Sequence, residues 1–129
     1  MSNTSQSIGW VEVISQDGFL DKVRYDIFVS GLFKVQSFDL MQLHAALGVA
    51  GESGELADAI KKHVIYGKPL DRENIIEELG DLRFYMQAVM NLYSIDEQML
   101  LQYNARKLGK RYSAGTYSDQ EAQERKDKV

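Results

Sequence analysis

The pattern of hydrophobic and polar positions along the chain is mostly helical. Apolar residues recur three and four positions apart over long stretches, which is the spacing of one face of an α-helix. Capping and stop signals place helices at about 25–35, from a cap at Ser37 or Asp39 to about Tyr66, from a cap at Asp71 to about Tyr93, from a capping box at 94–97 to about Leu108, and in a short stretch opened by Ser118. The last residues, from Lys126 onward, are expected to fray. The pattern therefore predicts an all-α protein, an antiparallel helical bundle of about four main helices.

The N-terminal segment follows a different pattern. Hydrophobic residues on both sides of Asp17-Gly18 fit a short β-hairpin, and they fit a loose arm lying on a neighbouring subunit equally well. Residues 1–7 are polar and are expected to be mobile. We therefore divide the single domain into an N-terminal arm with the first helix, residues 1–36, and a helical core, residues 37–129.

Four acidic residues interrupt helix faces that are otherwise expected to be apolar. Glu52 and Glu55 on the second helix, and Glu78 and Asp81 on the third, form two pairs with a spacing of three residues. Both acids of a pair therefore lie on one side of their helix. Glu78 falls inside the apolar arc of the third helix, next to Tyr85, and the second helix is apolar around most of its circumference. We expect the second helix to be largely buried, where carboxylates are costly unless a cation neutralises them.

The connection between these two helices brings the acid pairs to the same level. It spans only residues 67–70, so the two helices should form an antiparallel pair. Glu52 and Glu55 precede it by about three turns, and Glu78 and Asp81 follow it by about two. Oxygen ligands favour a hard divalent ion such as Mg²⁺. A single pair is more often a solvated helix face, but two pairs on inward faces favour a metal site.

The fourth helix carries a set of side chains suited to phosphate. Asn104, Lys107 and Arg111 fall within an arc of about 60° at the helical repeat. Taken alone, such residues are more often a solvated edge or a helix end whose positive charge complements the helix dipole. Beside a site with four carboxylates, they suggest a polyphosphate held between metal ions and basic side chains.

Composition limits the classes of function. A chain of 129 residues can bury one core, and its net charge of −4 argues against a nucleic-acid binder with a broad basic surface. The chain has no cysteine, which excludes thiolate zinc sites, and it has no phosphate-binding loop of the P-loop type. No apolar run reaches membrane-spanning length, and the N-terminus does not look like a signal peptide. We therefore expect a cytoplasmic protein that binds neither nucleic acid nor membrane.

The two acid motifs resemble those of a known enzyme family. Gly51-Glu52-x-x-Glu55-Leu56 followed by Glu78-x-x-Asp81 is similar to the signature of the MazG-type all-α nucleoside triphosphate pyrophosphohydrolases. The similarity extends to three further segments, residues 43–48, 107–112 and 117–128, the last of which resembles small members from bacteriophages. The chain is thus similar to this family over about residues 37–128.

The resemblance implies hydrolysis of a nucleoside triphosphate to the monophosphate and pyrophosphate. It implies that Mg²⁺ or Mn²⁺ is held by Glu52, Glu55, Glu78 and Asp81. The phosphates would be held by Lys107 and Arg111, with Lys62 and Asn104 as further candidates. Related enzymes are homodimers or homotetramers whose sites use more than one subunit. Similarity to the phage members favours a deoxypurine substrate such as dGTP.

Several alternatives stay open at this stage. Glu52 or Glu55 could accept the proton from the attacking water. His44 could contact the base or could be a core residue, whereas Trp10, Phe33 and Phe38 are more often core than a base-stacking wall. The enzyme could instead act on dUTP or dCTP. From a different class, the chain could be a non-catalytic helical assembly module whose acids form ion pairs between subunits.

Overall fold

The computed structural model describes residues 9–128, apart from the side chain of Lys126. The segment expected to be mobile, residues 1–7, lies outside them. The elements are strands β1 (Trp10–Ile14) and β2 (Leu20–Arg24), helices α1 (Tyr25–Leu32), α2 (Phe38–Val64), α3 (Arg72–Leu92), α4 (Glu97–Arg111) and α5 (Asp119–Glu124), and a 3₁₀ turn at Lys126–Lys128. The chain divides into two compact units, one up to Tyr93 and one from Ser94 onward. The predicted helical character is confirmed.

Helix boundaries follow the capping residues with one exception. Ser37 and Asp71 accept hydrogen bonds from backbone N–H groups in the first turns of α2 and α3, as expected. The capping box predicted from Ser94 is wrong, because the Asp96 carboxylate accepts the bond from the Met99 N–H at 2.7 Å. Ser94 has a left-handed φ of 54° and belongs to the turn between α3 and α4.

The N-terminal segment is a β-hairpin, so one of the two alternatives for it is confirmed. The strands pair antiparallel, with Trp10 opposite Arg24 and Ile14 opposite Leu20. Gly18 adopts a φ of 83° in the connecting turn, a conformation that favours glycine over residues with a side chain. Strand β2 runs directly into α1, so the hairpin is tied to the helical part of the N-terminal unit.

The core of the N-terminal unit lies where α1 packs on α2 and α3. Its buried residues are Val29, Phe33, Ala45 and Ala88. A polar ladder along α3 adds directional contacts: Arg83 donates to Gln87 at 2.8 Å, and Gln87 donates to Asn91 at 2.9 Å. Asn91 then donates to the backbone carbonyl of Asp26 at 2.9 Å, which fixes α1 against α3.

The prediction that α2 is largely buried is wrong for the single chain. Among the described residues of α2, only Ala45 is buried. Leu40, Leu43 and Leu47 on α2 each expose more than half of their surface, and Leu79 on α3 exposes nearly half. A helix that is apolar nearly all round presents more surface than α1 and α3 can cover. Within the described residues, no helix has the length and apolar character needed to cross a membrane.

The C-terminal unit is built differently from the N-terminal one. Helix α4 has no buried residue, and α5 begins at Ser118, whose hydroxyl accepts from the Glu121 N–H at 3.1 Å. The chain was expected to fray from Lys126, but residues 126–128 form the 3₁₀ turn, which packs against α4. An ion pair between Arg111 and Asp127 joins the two.

Candidate metal centre

Three carboxylates from the two long helices converge at one point. Glu52 on α2 and Glu78 and Asp81 on α3 each offer an oxygen, and the three oxygens lie within 4.8 Å of one another. Glu52 and Glu78 are half-buried, and Asp81 is exposed. Gly67 makes the tight turn between the helices possible with a φ of 69°. The antiparallel pair therefore places acids from distant parts of the sequence side by side. We call these three residues the carboxylate cluster.

Glu55, the fourth predicted ligand, stands beside the cluster rather than in it. Its side chain is exposed, and its carboxylate is not among the three that converge. Its charge nevertheless contributes to the electrostatics of Glu78. Burial raises the pKa of Glu78, and the negative charges of Glu52, Glu55, Asp81 and Glu77 raise it further. Acidic neighbours thus dominate the surroundings of Glu78, which is the condition that a cation would relieve.

The cluster suits a hard divalent ion. Mg²⁺ binds oxygen at about 2.0–2.1 Å, so ligands on opposite sides of the ion are about 4 Å apart. Oxygens within 4.8 Å of one another reach this geometry through small rotations of the side chains. All three ligands are carboxylates, the donor type that favours Mg²⁺, Ca²⁺ or Mn²⁺ over softer metals. The residues therefore fit the ion that the acid motifs predicted.

An aromatic layer adjoins the cluster along the same helix pair. It consists of Phe33, His44, Phe84 and Tyr85. His44 stacks on Phe33 with ring centroids 4.7 Å apart and meets the edge of Tyr85 at 5.9 Å. The Tyr85 ring lies against the backbone of Gly48, where a β-carbon would overlap it. Gly48 is one turn before Glu52, and Tyr85 one turn after Asp81, so the layer borders the cluster.

His44 is held in this layer by ring contacts with Phe33 and Tyr85. Its Nδ1 atom is buried and has no hydrogen-bond partner among the described residues.

The other aromatic candidates for a base-stacking wall differ in exposure. Phe33 is a core residue, but Trp10 and Phe38 expose about half of their surfaces. His63, near the end of α2, is exposed, and its Nδ1 lies 2.7 Å from the carbonyl oxygen of Lys68 in the following loop.

The predicted phosphate-binding residues occupy contrasting environments. Lys62 lies on α2, and its Nζ is 3.2 Å from the Asp58 carboxylate in an exposed ion pair. In the C-terminal unit, Asn104 and Lys107 are exposed on α4. Arg111 is half-buried, and its Nε donates to the Asp127 carboxylate at 2.7 Å.

Two residues that contact the candidate site residues were not recognised as such from the sequence. Tyr85 was counted only as part of the apolar face of α3, although its spacing of four residues from Asp81 places it on the side of the acids. Asp127 belongs to a segment that was expected to fray. Its pairing with Arg111 joins residues 16 positions apart and has no local signal.

Comparison with known proteins identifies the family. A family model described as the MazG nucleotide pyrophosphohydrolase domain matches residues 42–115, more than half of the 129 residues. Neither the curated proteins nor the solved structures contain a match to the chain. The matched segment includes the carboxylate cluster, Glu55 and the basic face of α4. The chain therefore belongs to the MazG family and is a nucleoside triphosphate pyrophosphohydrolase.

Proposed function

We propose that the chain hydrolyses a (deoxy)nucleoside triphosphate to the monophosphate and pyrophosphate with the help of Mg²⁺ or Mn²⁺. The observation that carries this proposal is the convergence of Glu52, Glu78 and Asp81, whose oxygens lie within 4.8 Å of one another. The raised pKa of Glu78 supports it, because burial and neighbouring acids disfavour its charged form. A divalent cation would offset these negative charges and would in turn attract the phosphates of the anionic substrate.

In the N-terminal unit, separate acidic side chains would bind the metal ion and accept the proton. Glu52, Glu78 and Asp81 would hold the ion, which when bound neutralises phosphate oxygens and makes a water molecule more acidic. Glu55 is exposed, stands outside the cluster and is near enough to affect Glu78. Its lone pairs are therefore available to accept the proton of the attacking water. We assign the base role to Glu55 and a ligand role to Glu52.

Basic and amide side chains would bind the polyphosphate. Lys107 and Arg111 on α4 provide positive charge for the departing pyrophosphate, and Asn104 provides an amide on the same face. Lys62 forms an exposed ion pair with Asp58, which a phosphate can replace at little cost.

The aromatic layer supports a role in recognition of the base. His44 presents an unsatisfied buried nitrogen and stacks on Phe33, so the layer is rigid and has a polar atom to offer. We propose that His44 contacts the base and that the preferred substrate is a deoxypurine triphosphate such as dGTP. A dUTP or dCTP pyrophosphohydrolase is the alternative within the same chemistry.

Exposed apolar side chains on α2 and α3 support a homo-oligomer. Leu40, Leu43 and Leu47 follow one another along α2 at helical spacing and are more than half exposed. A contiguous apolar surface of this kind marks a protein interface. We propose that a second copy of the chain covers it, in a homodimer or homotetramer.

A substrate panel tests the proposal. Purified protein is incubated with each common NTP and dNTP in Mg²⁺ or Mn²⁺, and pyrophosphate release is measured for the wild type, Glu55→Gln and Glu77→Gln. We expect release from one dominant deoxypurine, loss of it in Glu55→Gln, and near-normal rates in Glu77→Gln, an exposed acid on α3. No release from any nucleotide, with the oligomer intact, would support the assembly module instead.

A further inference from the structure

A largely buried ion pair joins the end of α4 to the 3₁₀ turn within the C-terminal unit. The Arg111 Nε donates to Asp127 Oδ1 at 2.7 Å, and the Asp127 side chain is only 2% exposed. Hydrogen bonding from Arg111 lowers the pKa of Asp127, and the charge of Lys107 adds to the effect. Asp127 therefore stays ionised and interacts with two of the three residues on the basic face of α4.

The pair is asymmetric. The guanidinium group has five N–H donors, and the hydrogen bond to Asp127 uses only the one on Nε. Asp127 Oδ2 is buried and has no hydrogen-bond partner among the described residues. A pair that served stability alone would gain from a second, parallel bond between the same two groups. The geometry instead leaves the Nη donors of Arg111 available for another acceptor.

We propose that Asp127 is a positioning residue, which holds the Arg111 guanidinium so that its Nη groups can bind the substrate polyphosphate. This inference rests on the proposed function. A free arginine loses much of its rotational freedom when it binds a phosphate, and this loss weakens binding. Asp127 fixes the side chain beforehand through its hydrogen bond to Nε.

The burial of Asp127 argues against a blocking role. A carboxylate that merely occupied the place of a phosphate would have to leave when the substrate arrives. Asp127 is held on a 3₁₀ turn that packs against α4, and its side chain is almost inaccessible to solvent. Displacing it would require the turn to open. The carboxylate is therefore part of the framework around Arg111.

A double-mutant cycle in the full-length protein tests the proposal. Asp127→Asn, Arg111→Gln and the double variant are compared in kcat, KM and melting temperature, using the triphosphate that the panel identifies and a temperature well below every melting point. We expect Asp127→Asn to lower kcat/KM about tenfold, as removal of a supporting hydrogen-bond partner typically does. In the Arg111→Gln background, the same substitution should cost nothing further, because its effect passes through Arg111.

Controls separate the possible roles of the pair. Asp119→Asn, an exposed acid at the start of α5, should leave kcat/KM unchanged. An unchanged kcat/KM in Asp127→Asn with a lower melting temperature would show a purely structural pair and overturn the proposal. A higher kcat/KM would show a blocking role and overturn it as well. If Asp127→Asn does not fold, Asp127→Glu, which keeps the negative charge but displaces the carboxylate by one methylene, should also lower kcat/KM, and an unchanged kcat/KM would overturn the proposal.

The experiment also separates this inference from the proposed function. If the wild type and Asp119→Asn release no pyrophosphate from any triphosphate, the proposed function fails and the inference falls with it. If both are active and the cycle shows no coupling between Asp127 and Arg111, only the inference fails.

Discussion

The carboxylate cluster and the aromatic layer both involve α2 and α3, with Phe33 at the end of α1 completing the layer, and they differ in almost every physical respect. In the layer, His44 stacks on Phe33 and meets Tyr85 edge to face, and Tyr85 lies against a glycine. In the cluster, Glu52 and Glu78 face each other with like charges, and the pKa of Glu78 is raised. The aromatic layer stabilises the packing of α2 on α3, and the carboxylate cluster destabilises it.

The contrast explains how a helix pair can tolerate such a site. The packing of aromatic rings next to the cluster stabilises the approach of α2 and α3, while the repulsion is confined to about one turn of each helix. The aromatic layer thus holds the acids at a separation that they would not keep by themselves. A strained, charged site beside a rigid apolar support is a common arrangement in enzymes, because function needs the first and folding needs the second.

The largest effect is expected from neutralising one acid of the cluster. Glu78→Gln removes the charge of a proposed metal ligand while keeping the shape of the side chain. We expect kcat/KM to fall by at least about 100-fold, the upper end of what even indirect partners of a metal site cost. The measurement is pyrophosphate release under saturating Mg²⁺. Glu77→Gln, its exposed neighbour, is the matched control, and equal activity of the two variants would contradict a metal role for Glu78.

The aromatic layer should respond to added volume. Gly48→Ala places a methyl group inside the space of the Tyr85 ring, which is confined by His44 and Phe84. We expect the free energy of unfolding to fall by about 1–3 kcal/mol, measured by urea denaturation. Gly51→Ala on the same helix meets nothing within 4 Å and should gain about 0.5–1 kcal/mol. Similar behaviour of the two variants would show that the layer is loosely packed.

The smallest effect is expected in the pH dependence of the metal-free protein. Because the pKa of Glu78 is raised on folding, the folded state binds the proton more tightly than the unfolded chain does. Glu78 therefore does not destabilise the folded state below its ordinary pKa of 4.5, and it destabilises the folded state fully above its raised pKa. In EDTA, the melting temperature of the wild type should fall relative to that of Glu78→Gln as the pH rises from about 4 to 7. A difference that does not change with pH would contradict this prediction.

Local signals predicted the helices and the position of the acids along them. Ser37 and Asp71 cap α2 and α3 as expected, because capping involves residues only three positions apart. The short turn before α3 then determined that Glu52 and Glu78 would lie at similar levels. The N-terminal hairpin stayed undecided, because its apolar residues were equally compatible with an arm on another subunit.

The amino-acid sequence by itself determined the main helices and their approximate bounds, the two acid motifs and their antiparallel arrangement, because each depends on spacing within a few turns. Only the tertiary structure decided that Glu55 stands outside the carboxylate cluster, that the leucines of α2 are exposed, and that Asp127 holds Arg111. These outcomes depend on how closely α2 and α3 pack and on contacts between distant residues. Such distances are determined by the combined packing of many side chains, which no local pattern contains.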